Sequence, residues 1–403
     1  MLTRALLAAV LLTGPYLFAD DWPCFRGPHH DGISREKLPS PPWTGAAPKE
    51  LWRASVGLGF STMVVADGKV IATGHDGKKQ GIATIWCFDA TSGAVTWKHS
   101  YAAPLGDMYF EGGTTGTPTI HEGKVFHLSR EGDVACLDLA TGGVRWQKPL
   151  AKELEATMPD WGYAGSPLVD GERLILNVGG AGTALDRATG RVVWKSTPNM
   201  AAYATPVPFD LGGKPCVALL GHKECLAVER AAGSVLWRQK FVSGYNTSAG
   251  APVVHAGTIF VSAYNVPAVM LDARSGLPVA GWKTDTRVHF NAGVVIGGHL
   301  YAFHGEAGKK EGELRCLDWK TGSTKWAQKG LGVGSLIAAD GKLICFTDTG
   351  ELVITEASPE KFKPLTRAQI LGGKCWATPV LANGRLYVRN AKGDLVCLNL
   401  GAK

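Results

Sequence analysis

Short apolar segments recur along the chain, and Gly, Asp or Asn residues bound each of them. Typical segments are KVFHLS (124–129), RLILNV (173–178) and TIFVSA (258–263). They are rich in β-branched and aromatic residues that partly alternate with polar ones, which is typical of β-strands. No segment shows a sustained apolar period of 3.6 residues, so the pattern predicts an all-β protein.

One eleven-residue phrase follows these segments at regular intervals. CLDLATGGVRW (136–146) returns as CLDWKTGSTKW (316–326). Related copies end at Trp97, Trp194, Trp237 and Trp282, and the spacing between copies is 43 to 49 residues. A period of this length, built from short strands, is typical of a β-propeller blade. We interpret the Asp-x-x-Thr-Gly element as the hairpin between the third and fourth strands, because Asp can cap the turn and Gly tolerates a positive φ.

A tryptophan closes each phrase, early in the predicted fourth strand. We expect this ring to wedge between neighbouring sheets, where it buries apolar area. The same role is expected of a tryptophan that precedes the first full repeat. The predicted structural set is Trp52, Trp97, Trp146, Trp194, Trp237, Trp282 and Trp326.

The two ends of the chain carry incomplete repeats that complement each other. Residues 49–57 read as a fourth strand alone, and residues 375–400 supply three strands without a fourth. Residues 334–365 form a degenerate repeat that lacks the Thr-Gly pair and the tryptophan. The sequence therefore predicts an eight-bladed β-propeller of four-stranded antiparallel blades. N- and C-terminal strands in one shared blade would close the ring and remove its open edges.

Two segments precede the propeller, which we assign to residues 49–403. Residues 1–19 combine Arg4, an apolar stretch and a final Ala19, a pattern typical of an export signal peptide. We therefore expect an exported protein, periplasmic or extracellular. Residues 20–48 are rich in turn residues, and we interpret them as an arm that Trp22, Phe25 and Arg26 clamp to the propeller. We favour this structural role over that of a ligand loop.

Charge and hydropathy exclude two classes of partner. The formal net charge is +7, and Lys and Arg are scattered among Asp and Glu without a basic stripe interleaved with aromatics, so no nucleic-acid partner is expected. No segment approaches the ~18 consecutive apolar residues of a membrane span. We expect a monomer.

Nine cysteines raise the question of disulfides in an exported chain. Four of them occupy one position of the repeat, where the architecture holds them apart, and we interpret these as buried apolar residues: Cys87, Cys136, Cys316 and Cys397. Pairing stays open among the other five, which are Cys24, Cys216, Cys225, Cys345 and Cys375.

Motifs of known chemistry are missing from the sequence. It contains no G-x-x-x-x-G-K-[ST], H-E-x-x-H, G-x-S-x-G or C-x-x-C. His304 and Glu306 are a lone pair of potential ligands in a loop, which we interpret as a solvated turn. We therefore assign no catalytic residue and no metal ligand.

Candidate binding residues come from the segments just before and within the innermost strands, which face the central channel of a propeller. These segments gather aromatic faces and amide donors toward one mouth, where they could stack a flat cofactor, a sugar ring or an extended peptide. The candidates are Trp161, Tyr163, Tyr203, Tyr245, Asn246, His289, Asn291 and Trp376.

The Asp-x-x-Thr-Gly-x-x-x-Trp phrase resembles the repeat of the PQQ-repeat family of quinoprotein propellers. That family includes pyrroloquinoline-quinone (PQQ) alcohol dehydrogenases and the non-enzymatic outer-membrane-assembly lipoprotein BamB. Residues 22–34 are similar to the W-P-x-x-R-G-P-x-x-D-G-x-S opening of exported bacterial proteins with the same repeat. The resemblance implies the propeller fold, and it is much less specific for function.

Two functions are compatible with the resemblance. The leading one is an exported, non-catalytic binding or scaffold propeller without a cofactor, which recognises a peptide, protein or glycan at the channel mouth. The alternative is a PQQ-dependent oxidoreductase of the alcohol or sugar dehydrogenase type, with PQQ and Ca²⁺ in a divergent site. The adjacent cysteines and the metal-binding set typical of those enzymes match no residues here, so none of their roles is carried over.

Overall fold

The computed structural model describes residues 20–307, 309 and 311–401. The predicted signal peptide, residues 1–19, lies outside this part. The described chain forms eight sheets, and the predicted all-β, eight-bladed propeller is confirmed. Helical structure in this part is limited to α1 (Leu150–Glu153) and one 3-10 turn (Gly244–Asn246).

The strands follow the chain from the arm into four consecutive blades. The arm contributes β1 (Ile33–Ser34), and β2 (Glu50–Ser55) follows it. Blade 1 contains β3 (Val64–Ala66), β4 (Lys69–His75), β5 (Gln80–Asp89) and β6 (Val95–Pro104). Blade 2 contains β7 (Thr119–His121), β8 (Lys124–Leu128), β9 (Val134–Asp138) and β10 (Val144–Lys148). Blade 3 contains β11 (Leu168–Asp170), β12 (Arg173–Leu176), β13 (Thr183–Asp186) and β14 (Val192–Lys195). Blade 4 contains β15 (Val207–Leu211), β16 (Lys214–Leu220), β17 (Glu224–Glu229) and β18 (Val235–Lys240).

The second half of the ring repeats the same order. Blade 5 contains β19 (Val253–His255), β20 (Thr258–Ala263), β21 (Val266–Asp272) and β22 (Val279–Thr284). Blade 6 contains β23 (Val294–Ile296), β24 (His299–His304), β25 (Glu313–Asp318) and β26 (Thr324–Lys329). Blade 7 contains β27 (Ser335–Ala339), β28 (Lys342–Phe346), β29 (Glu351–Glu356) and β30 (Pro364–Gln369). Blade 8 contains β31 (Val380–Ala382), β32 (Arg385–Arg389) and β33 (Asp394–Asn399), and it takes β2 as its fourth strand.

Within each blade the first strand is innermost. First strands of neighbouring blades contact each other, as β3 does with β7 and β23 with β27, so these strands surround the central channel. Because consecutive strands are antiparallel, the turn after each first strand and the hairpin after each third strand lie on one face of the ring. The connections between blades lie on the opposite face.

The ring closes in blade 8, as predicted. Strand β2 pairs antiparallel with β33, with Trp52 opposite Cys397. A buried guanidinium ties the same blade to blade 1: Arg389 donates to the carbonyl oxygens of Thr73 at 2.7 Å and Gly57 at 3.0 Å. Burial lowers the pKa of Arg389 to about 10. These carbonyls satisfy the donors of a charge that water cannot reach.

The repeated tryptophan and the repeated glycine meet across the blade junctions. The indole N–H of Trp97 donates to the carbonyl oxygen of Leu139, at 2.8 Å, in the hairpin of the next blade. Its ring lies on Gly142 of that hairpin, where an added Cβ would come within 2.6 Å of the indole. The same contact recurs in the pairs Trp52–Gly93, Trp146–Gly190, Trp194–Gly233 and Trp282–Gly322.

The junction between blades 4 and 5 departs from this rule. The blade 5 phrase is two residues longer, and an added Cβ on its Gly276 would meet nothing within 4 Å. The buried indole N–H of Trp237 has no acceptor in the described part of the chain. Trp326 faces the degenerate blade 7, where it donates to the carbonyl oxygen of Ser358 at 2.8 Å and packs against Phe362.

The hairpin itself is held by the aspartate. In blade 2, the Asp138 Oδ1 atom accepts hydrogen bonds from the backbone N–H of Thr141 at 3.0 Å and from its hydroxyl at 3.0 Å. Gly142 adopts a φ of 72° and donates its N–H to the Asp138 carbonyl at 2.8 Å. Asp therefore fixes the turn, and Gly supplies both the left-handed backbone and the flat surface for the neighbouring indole.

The arm crosses the face on which these hairpins lie. Trp22 forms two backbone hydrogen bonds with Val65 in blade 1, and Arg26 donates to the Gly293 carbonyl at 2.8 Å next to blade 6. Strand β1 pairs parallel with β27, which makes the sheet of blade 7 five-stranded. Glu36 accepts the backbone N–H groups of the first turn of blade 8. The arm thus contacts blades on both sides of the channel.

All nine cysteines lie in the described part, where they are buried and unpaired. Burial raises the thiol pKa of Cys24 and of Cys225 to about 12 in each case, so both thiols are neutral. The pairing left open for five of them is therefore not formed in this structure.

The Trp–Gly contact predicts a difference between two glycines that both have positive φ. Gly142→Ala should lower the free energy of unfolding by about 1–3 kcal/mol more than Gly276→Ala, because only the first adds a methyl group against an indole. Both substitutions carry the same left-handed backbone penalty of about 1 kcal/mol, so Gly276→Ala is the matched control. Equal losses in guanidinium unfolding would contradict the interlock.

Candidate functional site

A cavity of about 670 Å³ opens on the face opposite the arm, at the mouth of the channel. We call it the channel-mouth cavity. Its aromatic lining residues are Phe25, Phe60, Tyr109, Phe110, Trp161, Tyr203, Tyr245, Tyr264, His289, Phe290 and Trp376. Its small and polar lining residues are Thr62, Thr115, Thr117, Ala164, Ser166, Thr205, Thr247, Ala249, Asn291, Ala307 and Thr378.

The connections between blades supply most of the aromatic wall. The rings of His289 and Phe290 stack at 3.7 Å between centroids, and Phe290 lies 4.9 Å from Trp376. Trp376 in turn lies 5.1 Å from Phe60. Across the mouth, Trp161 packs edge-on against Tyr203 at 5.9 Å. Contacts of this kind hold aromatic planes in fixed positions around the opening.

Hydroxyl groups just before the innermost strands line the cavity, and they join neighbouring blades. The backbone N–H of Thr62 donates to Thr117 Oγ1 at 3.1 Å, and the backbone N–H of Ser166 donates to Thr205 Oγ1 at 3.0 Å. Asn291 accepts the Thr378 hydroxyl at 3.0 Å. The short side chains let the strands approach the axis while their oxygens replace the hydrogen bonds that the channel backbone needs.

The arm contributes one residue to the cavity. Phe25 lines the cavity and packs against the apolar cluster of blades 5 and 6. It is held there by its neighbour Arg26, whose guanidinium donates to the carbonyl oxygens of His30 and Asp31 within the arm and of Gly293 in the ring. The cavity is therefore lined by the arm as well as by the ring, and we refer to its inner part as the cup.

The cavity carries no formal charge at neutral pH. Among its described lining residues there is no Asp, Glu, Lys or Arg. Burial lowers the pKa of His289 to about 4, and its Nδ1 atom accepts the backbone N–H of Ala307 at 3.3 Å. Burial also raises the pKa of Tyr203 to about 12. An ion pair lies just outside the wall: Lys374 stands over the Trp376 ring and binds Glu111 at 2.7 Å.

Two tyrosines stand at the rim in strained backbone conformations. Tyr109 has a φ of 64° and is 90% exposed, and Tyr245 has a φ of 52° and is 76% exposed. Bulky residues are rare in the left-handed region, and each costs about 1–3 kcal/mol there. The rim therefore holds two exposed aromatic rings at an energetic cost, which is common at ligand-binding sites.

Six of the eight predicted candidates line this cavity: Trp161, Tyr203, Tyr245, His289, Asn291 and Trp376. The prediction was wrong for Tyr163, which is 1% exposed in the core between blades 2 and 3. The reason is Gly162, whose φ of 76° breaks the alternation that would have placed Tyr163 beside Trp161. Asn246, next to Tyr245 in the 3-10 turn, also lies outside the lining set.

Several lining residues were missed from the sequence. Phe60 precedes the first strand of blade 1 just as Trp376 precedes that of blade 8, so the same argument could have found it. Tyr109 and Phe110 lie in the equivalent connection before blade 2. Tyr264 comes from a turn within blade 5, where no repeat signal marks it. Phe25 reaches the cavity from the arm, which the sequence favoured as a clamp only.

The pair His304 and Glu306 is not a solvated turn, which corrects the sequence interpretation. Both residues are buried. Glu306 accepts a hydrogen bond from the Arg287 guanidinium at 2.9 Å, and His304 Nδ1 accepts the Arg287 backbone N–H at 3.0 Å. Across residues 20–307, 309 and 311–401, no group of three or more His, Cys, Asp or Glu side chains could hold a metal ion. None of the helices in these residues is long and apolar enough to cross a membrane.

Known proteins resemble this chain in sequence and in fold. A sequence profile described as "Outer membrane protein assembly factor BamB" matches residues 81–328. A curated protein of that name from Yersinia pestis is 24% identical and covers 97% of this chain and 96% of its own length. The crystal structure of BamB from Moraxella catarrhalis superposes with a TM-score of 0.63 at 18% identity, over 89% of this chain and 99% of that one. The quinohemoprotein alcohol dehydrogenase of Comamonas testosteroni gives a TM-score of 0.68 at 16% identity, over 95% and 81%.

The cavity residues do not fit the quinone and metal of such dehydrogenases. PQQ carries three carboxylates, and Ca²⁺ prefers about six to eight oxygen ligands with carboxylates among them. The described lining residues supply hydroxyls and one amide, Asn291, but neither a carboxylate for the metal nor a Lys or Arg for the quinone. Carboxylates buried without a cationic partner are strongly disfavoured.

The low pKa of His289 predicts how its contribution to stability changes with pH. Its pKa falls from 6.5 to about 4 on folding, so protons bind the unfolded chain more readily between these two values. Relative to His289→Gln, the native protein should lose up to about 1.4 kcal/mol of unfolding free energy per unit as pH falls from 6.5 toward 4. Urea unfolding of both proteins across this range measures the difference. A difference that does not change with pH would mean that His289 is charged when folded.

Proposed function

The chain belongs to the family described as outer membrane protein assembly factor BamB, and on that basis we propose that it is a non-catalytic, protein-binding propeller that acts in outer-membrane protein assembly. We place it outside the cytoplasm, in the periplasm or beyond, as the export pattern of residues 1–19 suggests. It would act as a monomer and present a rigid surface to a polypeptide, with no bond chemistry of its own.

The observation that carries this proposal is the aromatic rim of an uncharged cavity. Tyr109 and Tyr245 project from two blade connections, where both side chains are largely exposed. Tyrosine is enriched among the residues that dominate protein–protein binding, because it buries apolar area and keeps a polar tip. Each rim tyrosine also contacts a second ring, since Tyr109 lies 6.4 Å from Trp161 and Tyr245 lies 5.9 Å from Tyr264, so a partner would meet paired aromatic surfaces.

A quinone cofactor and a glycan are the other ligands that the sequence suggests for this cavity. The quinone-dependent alternative lacks support from the lining residues, which offer no charge to a tricarboxylate or to Ca²⁺. A glycan is the other predicted class of partner. The interior of the cavity, rather than its rim, has the hydroxyl groups that suit it.

The rim assignment is tested with an unfolded outer-membrane β-barrel polypeptide diluted from urea. The native protein should bind it, and the double variant Tyr109→Asn, Tyr245→Asn should bind at least about tenfold more weakly by fluorescence anisotropy. Asn tolerates the left-handed backbone better than most residues, so the connections should keep their shape.

The matched control is Leu277→Asn, at an exposed apolar residue of the blade 5 hairpin on the opposite face. Its affinity for the β-barrel polypeptide should equal that of the native protein. Failure of the native protein to bind would contradict the proposed function, whereas equal binding by the double variant would contradict the rim assignment.

The quinone alternative has its own prediction. Titration with PQQ and Ca²⁺ should give no saturable rise in Tm and no spectrum of bound quinone, because nothing in the cavity offsets the quinone charges. A ligand at 100 times its dissociation constant would stabilise the fold by about 2.7 kcal/mol, which a thermal melt resolves easily. Ca²⁺ alone is the control. A saturable shift with a quinone spectrum would restore the oxidoreductase reading.

A further inference from the structure

Three hydroxyl groups in consecutive blades face the channel-mouth cavity with unused hydrogens. They belong to Thr117, Ser166 and Thr205 of blades 2, 3 and 4. Thr117 and Thr205 each accept a backbone N–H, and neither donates to an atom of the described residues. The hydroxyl of Ser166 has no hydrogen-bond partner in that part of the chain, although the residue is 2% exposed. Because these hydroxyls face the cavity, water or a ligand can pair the hydrogens that the protein leaves unused.

The opposite side of the cavity offers acceptors and a fixed amide. The Asn291 amide is oriented by two hydrogen bonds: it accepts the Thr378 hydroxyl at 3.0 Å and donates to the Trp376 carbonyl at 3.1 Å. Its oxygen and the Thr378 hydroxyl oxygen keep lone pairs for a ligand. The floor of the cup is thus polar on both sides, under walls of flat aromatic rings.

The size of the cavity limits what can enter. The volume of about 670 Å³ lies in the range of small-molecule sites. A compact molecule, or the end of a longer one, fills such a cup.

We propose that the interior of the channel-mouth cavity binds an uncharged saccharide, as a free oligosaccharide or the end of a glycan. The proposal goes beyond protein binding at the rim and does not depend on it. A sugar ring presents an apolar C–H face to an aromatic plane and hydroxyl groups around its edge. Its faces suit Trp161 and Trp376, and its edge suits Ser166 and Asn291.

Other ligand classes match the lining less well. A hydrocarbon would leave the three hydroxyl groups unpaired, which a buried site disfavours. The end of a peptide brings an ammonium or carboxylate group for which the described lining residues supply no counter-charge. An uncharged sugar meets both requirements, since it carries many hydrogen-bonding groups and no net charge.

The test is calorimetric titration of the purified protein with neutral trisaccharides of glucose, mannose, galactose and N-acetylglucosamine, up to about 10 mM. At least one should bind saturably. Two charged sugars are the controls. Deacetylated chitotriose has the skeleton of the N-acetylglucosamine trimer with three ammonium groups, and trigalacturonic acid is the anionic counterpart of the galactose trimer. Both should bind at least about tenfold more weakly than the best neutral sugar.

Two variants assign the binding to this cavity. Ser166→Ala removes a hydroxyl that stabilises no other described group, so Tm should stay unchanged while affinity falls about fivefold, the worth of one hydrogen bond. Trp376→Leu keeps an apolar side chain but removes the flat face, and it should weaken binding further. The matched control Ser275→Ala, in the blade 5 hairpin on the opposite face, should bind like the native protein.

Titration up to about 10 mM detects ligands with dissociation constants of about 1 mM. The proposal is overturned if none of the neutral trisaccharides binds in this range. It is also overturned if the charged sugars bind as well as the neutral ones, or if Ser166→Ala and Trp376→Leu both bind normally. Because these measurements use sugars alone, their failure leaves protein binding at the rim unaffected.

Discussion

The contact between an indole on one blade and a glycine on the next is the interaction on which the ring depends. Five of the seven repeat tryptophans use their N–H to pair a hairpin carbonyl and their face to cover a hairpin glycine, as Trp97 does with Leu139 and Gly142. A side chain at the glycine would push the blades apart, and a smaller ring would leave a void between them. The tryptophan and the glycine of the repeat are therefore the two sides of one interface between blades, and this explains why they recur together.

A rigid ring leaves the residues that do not repeat free to form a site. The segments that enter the innermost strands carry Thr and Ser, and the hydroxyls of Thr117 and Thr205 accept backbone hydrogen bonds between blades. The connections above them have no part in the interlock, and they carry the aromatic wall. The arm adds Phe25 to the cavity lining from the other face of the ring. The lining of this one cavity comes from ten separate stretches of chain.

The sequence predicted the architecture well because each blade repeats the same local signals. It predicted the site less well, because the site depends on backbone turns and long-range contacts. Gly162 turns Tyr163 into the core, and only its observed φ shows this. Phe25 lies far from every other lining residue in sequence, so no local pattern connects it with them. The longer phrase in blade 5 was visible, but its consequence, an unpaired indole N–H at Trp237, appears only when blades 4 and 5 face each other.

The described lining residues of the cavity carry no charge, and this bears on whether the protein binds a partner or oxidises a substrate with a quinone. This fold is similar both to a BamB structure, with a TM-score of 0.63, and to a dehydrogenase structure, with a TM-score of 0.68, so the fold alone does not distinguish the two functions. The cavities of two such proteins must differ, however, because a quinone with three carboxylates and a calcium ion requires fixed charges of both signs. The described lining residues here supply only neutral groups, and burial keeps even His289 neutral at physiological pH. A low-dielectric cup of this kind favours ligands that bring hydrogen-bonding groups without charge, and it disfavours the cofactor that defines the enzymes. The chemistry of the residues that do not repeat therefore favours binding over oxidation.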